Sequence, residues 1–204
     1  MLETIILLIK VIVNPNAKTR KSDLALTGEF IDQRDDNTYK WIRIGTQIWM
    51  AENLNYYTEN GSWCYKNREE DCDKFGRLYN WETANKACPE GWHLSTFEEW
   101  ESLTGTLPGT ETGGELKESG LLHWKSPNEG ANNNSGFTAL PGGFRDIMAF
   151  SGRGTKGLFW TVTEGPKGGH YGFSLNKSNS SLNYTILNKI WGLSVRCVKD
   201  NSIE

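Results

Sequence analysis

The stretch Gly76-Arg-Leu-Tyr-Asn-Trp-Glu-Thr-Ala-Asn-Lys-Ala-Cys-Pro-Glu-Gly-Trp-His-Leu-Ser-Thr-Phe-Glu-Glu-Trp-Glu-Ser-Leu103 decides the fold, because it encodes two helices with a hard stop between them. Leu78, Trp81, Ala84 or Asn85, and Cys88 recur at three- and four-residue steps, which places them on one helical stripe. Pro89 lacks a backbone donor and ends that helix near Cys88, and Gly91 permits the turn after it. Ser95 and Thr96 are alternative caps for a second helix. Each is followed three residues on by a glutamate, Glu98 or Glu99, the spacing of a capping box. Phe97, Trp100 and Leu103 then form its buried stripe. The first helix ends on a cysteine, and the one distant cysteine lies in Ser194-Val-Arg-Cys-Val-Lys-Asp200, a short alternating segment. We expect a Cys88–Cys197 bond tying the opening helix to the closing strand. In the chain-entropy account a closed loop of about 100 residues stabilises by roughly 4.7 kcal/mol.

Composition narrows the rest. At 204 residues the chain suits one domain with a real core and is short for two. Nine Trp, seven Tyr and eight Phe can fill that core although only 37% of residues are hydrophobic. The 22 glycines and the Asn/Ser tracts favour ordered loops over long helices. Net charge is −3, with basic and acidic residues dispersed, so no basic block offers itself to phosphates and no nucleic-acid partner is expected. No run approaches the length of apolar chain that spans a bilayer, so no membrane span is expected. Four cysteines allow three pairings. Cys64 and Cys72 sit close together around an acidic turn, which favours Cys64–Cys72 beside Cys88–Cys197. Zinc is the rival reading, but no Cys-x-x-Cys is present and His93, His123 and His170 are scattered. Disulfides imply an oxidising compartment, hence an extracellular or cell-surface location, and neither metal nor cofactor is expected.

These motifs carry a resemblance. Trp81-x-x-Ala84-x-x-x-Cys88, Gly91-x-His93-Leu94 and Glu99-Trp100 resemble the two-helix signature of C-type lectin-like domains, and Val195-Arg-Cys-Val198 resembles their closing strand. More of the chain is similar to the Fibrobacter succinogenes major paralogous domain. The blocks are Tyr39–Asn55, Cys64-Tyr65, Phe75-Gly-Arg-Leu-Tyr79, Cys88-Pro-x-Gly-Trp-His-Leu94, Gly136-Phe-Thr-Ala-Leu-Pro-Gly-Gly-Phe-Arg145 and Ser194–Val198. The resemblance implies an α+β, C-type lectin-like fold: two helices packed on short antiparallel sheets, a long irregular loop region, and disulfide stabilisation. It divides the chain into an N-terminal strand or connector (1–27), the domain (28–200) and a tail (201–204).

Along the chain, Met1–Val13 carries the apolar Ile5-Ile-Leu-Leu-Ile9 and Val11-Ile-Val13, which read as a β-strand, with a degenerate signal as the alternative. Asn14–Thr27 reads as a connector. Asp32 to Asn37 is a turn, and Trp41–Ile44 and Ile48-Trp49 flank Gly45-Thr-Gln as a hairpin. Met50–Leu54 should lie on the core. Glu69, Glu70, Asp71 and Asp73 invite a calcium hypothesis, but they lack the alternating ligand pattern of a calcium loop and read better as a solvated, disulfide-pinned loop. Thr104–Arg145 is the least regular portion, with Leu116, Leu121-Leu122 and Trp124 as its anchors. Within it, Ser126-Pro127-Asn128-Glu129 resembles the Glu-Pro-Asn triplet of sugar-binding lectins. It lacks the first carboxylate, which argues against a lectin calcium site. Gly142-Gly143 suggests close backbone approach. Leu158–Thr163, His170–Leu175, Tyr184–Leu187 and Leu193–Val198 read as short closing strands.

Two functional classes compete. Formylglycine-generating enzymes share the broad fold class, and Gly91–Trp100 resembles their helix-opening motif. Their oxidase chemistry needs a reactive cysteine pair late in the domain, whereas here only Cys197 lies late. No Ser/His/Asp set can be argued from three isolated histidines, so no catalytic residue is assigned. A binding module fits the composition better, because Tyr and Trp supply area at low entropy cost while Asn and Ser supply directional bonds. The candidates are Trp124, Asn128, Tyr171, Asn176, Asn179, Asn183, Tyr184 and Trp191, facing a surface glycan or a protein. Each has a plain structural alternative: core for the two tryptophans, turns for the asparagines. The remaining alternative is a structural cell-surface or adhesin module without a specific ligand.

Overall fold

The structure is a computed structural model that describes residues 26–109 and 111–200; the apolar Met1–Val13 run, most of the connector and the 201–204 tail lie outside the described residues. Three strands open it: β1 (Thr27–Ile31), β2 (Thr38–Ile44) and β3 (Gln47–Met50). Asp32 shapes the first turn by accepting from the backbone N–H and the guanidinium of Arg34. Gly45 makes the second turn at φ +59°, where a side chain would be strained. Next come β4 (Ser62–Trp63), α1 (Glu69–Phe75), β5 (Leu78–Tyr79), α2 (Trp81–Ala87), β6 (Trp92–Leu94), α3 (Phe97–Gly105) and the single turn α4 (Thr112–Leu116). The chain closes with β7 (Phe144–Arg145), β8 (Phe150–Ser151), β9 (Lys156–Glu164), β10 (His170–Asn176), β11 (Asn183–Leu187) and β12 (Cys197–Lys199).

Among the described residues the strands form a five-stranded sheet ordered β1-β2-β3-β12-β6, a three-stranded sheet ordered β11-β10-β9, and two short pairs. Every pairing between named strands is antiparallel. The architecture is therefore α+β with few helices. β12 lies between β3 and β6, so the end of the chain is stitched into the sheet that its beginning started.

The strand β9 is buried on both faces from Gly157 to Thr161 and feeds two cores. In β9, Leu158 and Trp160 enter a core with Met50, Tyr79, Ala84, Ala87 and Cys197, while Phe159 enters another with Trp49, Trp100, Phe137 and Phe173. Alternation along a pleated strand sends successive side chains to opposite sides, and here both sides are apolar. The second core is an aromatic cluster: Trp49, Trp100 and Phe137 meet edge to face at 5.2–5.5 Å. Each such pair adds about 0.5–1.5 kcal/mol beyond its area. The buried indoles also find acceptors, Trp100 at Ser95 Oγ, Trp160 at the Tyr79 carbonyl and Trp124 at the Ala139 carbonyl.

Both expected disulfides are present. Cys64–Cys72 closes a span of 8 residues, and Cys88–Cys197 closes 109 and joins the C-cap of α2 to β12. Thr96, and not Ser95, caps α3 in a full capping box with Glu99. Three expectations need correction. The first helix begins at Trp81, because Asn80 caps it through Thr83 N–H; Leu78 belongs to a strand. The acidic segment is the helix α1, in which Asp71 is buried between Arg68 and Arg153. Leu116 and Trp124 do anchor the irregular portion, but Leu121 and Leu122 are 59% and 81% exposed and anchor nothing.

Candidate functional site

In an antiparallel pair, residues directly opposite one another share a face. The β10–β11 register sets Tyr171 against Ile186 and Phe173 against Tyr184, and β9 adds Phe159 opposite Phe173. α3 covers the inner part of this face, where Trp100 stacks on Phe173 at 4.8 Å. The helix starts at Phe97, whose ring lies 4.8 Å from Tyr171 and 4.9 Å from Tyr184. Beyond Phe97 nothing among the described residues covers the sheet. Tyr184 is 60% exposed and Ile186 40%, with Tyr171 and Phe97 half-buried beside them. Ile186 also lines a groove of about 540 Å³ whose other walls include Pro166, Lys167, Asn188 and Lys189. Gly165 and Gly169 let the Ile186 side chain settle there, since a Cβ on either would come within 3 Å of it. The result is an aromatic and apolar ledge ending in a groove edged by two lysines, along a strand that has no further strand partner among the described residues.

Of the residues singled out from sequence, the structure brings Tyr171 and Tyr184 onto this ledge. Asn183 is exposed on the same strand but points to the opposite face, as its pairing with Ser174 requires. The others serve structure. Trp124 is 1% exposed and belongs to the aromatic core. Asn128 is buried and donates its amide to the carbonyls of Glu118 and Gly120. Asn176 and Asn179 fold back on the N–H groups of Ser178 and Ser181, two residues along, which is the Asx turn. Trp191 stacks on Phe144 at 5.5 Å and 12°. Sequence reading missed Phe97 and Ile186 as surface groups. The signal for Ile186 was there, in a strand alternating beside a polar tract. Phe97 required knowing where α3 stops covering the sheet.

Two buried cations fix loops of the domain, and one of them holds the loop between β10 and β11. Lys117 is 0% exposed, and its ammonium donates to the carbonyls of Glu129, Asn176 and Asn179 at 2.7–3.1 Å. Burial lowers its pKa. Arg196, also 0% exposed, donates to Asn53 Oδ1 and to the carbonyls of Met50, Phe137 and Thr138. Burial pushes its pKa down to about 9, still well above neutrality, so the guanidinium stays charged at pH 7. Neither cation has a carboxylate at ion-pairing distance among the described residues; neutral carbonyls solvate both. Three of the separated sequence blocks, around Asn53, Phe137 and Arg196, therefore meet at one side chain.

Nearby titratable groups have fixed roles. His170 lies face to face with Trp81 at 3.6 Å with Nδ1 unpartnered, and burial lowers its pKa, which holds it neutral. His93 bridges Glu99 and Asp200 at 2.8 and 2.6 Å. Hydrogen bonding to Glu99, reinforced by Asp200, raises its pKa to about 9. Cys64, Glu69 and Cys72 converge, but the two sulfurs are bonded to each other and offer no thiolate. Glu69 pairs with Arg77 at 3.0 Å, and Asp71 is held by two arginines, so the acidic segment's main carboxylates are engaged by the protein itself. Among the described residues there is no free cysteine, and no helix is long and apolar enough to cross a membrane.

Residues 42–199 match the family model of the Fibrobacter succinogenes major domain. No curated protein and no solved structure matches the chain.

Proposed function

We propose a binding role from this premise: the chain belongs to the Fibrobacter succinogenes major domain family. In this reading it is an extracytoplasmic, non-catalytic module on a C-type lectin-like scaffold that presents the Phe97–Tyr171–Tyr184–Ile186 ledge to a surface glycan or protein. The observation that carries it is the open end of the β10–β11 face. A large aromatic with 60% exposure, on a sheet whose other aromatics are packed, is a surface kept ready for contact. Tyr184 offers a ring face and a hydroxyl, and the groove beyond Ile186 adds Lys167, Asn188 and Lys189 as directional partners. The disulfides support an oxidising location, and the engagement of all four cysteines in bonds supports the absence of thiol chemistry.

The test is a glycan array and an array of surface-protein segments, probed with the wild-type protein and with Tyr184→Ala. Anchoring aromatics commonly contribute 2 kcal/mol or more to binding, so Tyr184→Ala should weaken the bound ligand by about thirtyfold. Chelators should leave binding unchanged. Ligands held equally well by Tyr184→Ala and by Ile186→Ser refute the ledge, and arrays silent throughout favour a purely structural module.

A further inference from the structure

A second surface, independent of the ledge, lies where the irregular portion meets α1. Here Leu121 and Leu122, both exposed, rim a groove of about 470 Å³ floored by the buried Phe75 and Trp124. That volume lies within the usual range of small-ligand sites, about 300–1,000 Å³. Its charge runs against that of the chain. The protein carries −3 overall, yet the groove holds Lys74, Lys125 and Arg153. Lys177 adds a fourth cation, its ammonium 2.6 Å from the carbonyl of Ser126 on the same wall. Asp71 is the carboxylate in the lining, and it is 3% exposed and already held between Arg68 and Arg153. Glu118, nearby, accepts from His123 at 2.8 Å. Among the described residues no carboxylate lies at ion-pairing distance from Lys74, Lys125 or Lys177.

The geometry points to a docking groove for an acidic, leucine-bearing peptide segment of a partner protein. Two exposed leucines with unpaired lysines around a concavity match a strand or turn that alternates apolar and carboxylate side chains. The apolar groups fill the concavity and the carboxylates meet the lysines. A saccharide fits less well, because Trp124 and Phe75 in the groove are buried and the half-buried His123 ring is taken up by its edge contact with Phe75 and its bond to Glu118. A bilayer fits less well, because it cannot enter a concavity walled by lysine stems. Lys125 runs its stem along Gly154, where an added Cβ would come within 3.2 Å of it. The main chain there is tied by Lys125 N–H to the Gly154 carbonyl at 2.7 Å, so this wall is preformed.

The experiment is fluorescence anisotropy with a labelled peptide of repeating Leu-Glu, compared with repeating Leu-Lys and repeating Ser-Glu, at low and high salt. Phosphatidylserine vesicles and oligogalacturonate serve as competing probes. We expect the Leu-Glu peptide to bind at least about tenfold tighter than either comparison peptide, and to weaken as salt rises. Lys74→Ala with Lys125→Ala, and separately Leu122→Ser, should each weaken it about fivefold or more, with unfolding curves unchanged because all three side chains are exposed. Tyr184→Ala should leave it unchanged, which separates this groove from the ledge. Equal binding of the Leu-Lys peptide, indifference to the lysine and leucine variants, or preferential uptake by vesicles or oligogalacturonate overturns the proposal.

Discussion

Replacing Arg196 by methionine tests whether the buried guanidinium is the node that holds three segments together. The variant keeps most of the side-chain volume and removes the donors to Asn53 Oδ1 and to the carbonyls of Met50, Phe137 and Thr138. Each buried acceptor left without a donor costs about 1–3 kcal/mol, so four cost about 4–12 kcal/mol. Against this, the fold no longer desolvates a cation, which returns several kcal/mol. The stacking of the guanidinium over Phe137, at 4.6 Å, is also lost. The net expectation is a loss of about 3–5 kcal/mol, a large part of the 5–15 kcal/mol that a domain commonly has. Urea unfolding under non-reducing conditions, followed by tryptophan fluorescence, measures it. Arg196→Lys should recover only part, since an ammonium cannot reach four acceptors spread around a planar fork. A loss below about 1 kcal/mol, no larger than for Arg43→Met at an exposed position of β2, refutes the node.

Other outcomes follow from the same structure. Replacing the Cys88–Cys197 pair by serines should cost roughly 4.7 kcal/mol in the chain-entropy account, against roughly 2.5 kcal/mol for Cys64–Cys72; equal midpoints in denaturant contradict the assignment of the long link as the dominant one. Lys117→Met should destabilise by about 2–4 kcal/mol and raise amide hydrogen exchange across Asn176–Asn183, with less change at β12, because three carbonyls lose their donor together. The His93 pKa is raised to about 9, so its contribution is complete below its unfolded value near 6.5 and is lost as pH rises through about 9. The imidazole is 38% exposed, so solvent screening holds this to on the order of 1 kcal/mol, and His93→Gln should flatten that part of the pH–stability curve. His170 acts in the opposite sense: its lowered pKa makes the fold lose stability as pH falls below about 6.5, and His170→Phe should remove that acid limb.

Features set by adjacent residues were legible in the sequence. The hairpin at Gly45, the Thr96–Glu99 cap, the strands at 158–163, 170–175 and 184–187 and the Cys64–Cys72 bond depend on turn chemistry, capping or spacing that a few neighbouring positions carry. Cys88–Cys197 was legible because those were the two cysteines left, and the last strand is Cys197–Lys199, shorter and later than the expected Leu193–Val198. The stripe through Leu78 misled because a buried residue just before a helix keeps the helical step by coincidence. Asn80 was the contrary signal, a good N-cap three residues before the N–H it accepts from. The acidic helix α1 was illegible for another reason. Asp71 is buried there between Arg68, three residues away, and Arg153, 82 residues away, and no local pattern announces the second partner. The candidate site divides the same way. Composition pointed to Tyr and Asn in the closing section, and the strand register puts Tyr171 and Tyr184 on one face. Trp124 and Asn128 were spent inside and Trp191 is half-buried against Phe144, and residue type alone does not tell a contact surface from a core.

Lys117 grips main-chain oxygens only, those of Glu129, Asn176 and Asn179. The hold is therefore indifferent to which side chains those positions bear. Substitutions at the exposed Ser178, Ser181 and Asn183 can change what the outer surface displays while the path of the chain beneath stays put, whereas Asn176, Asn179 and the buried Ser180 are committed to the turn. A frame clasped by its peptide groups leaves the lettering on its outside free to be rewritten.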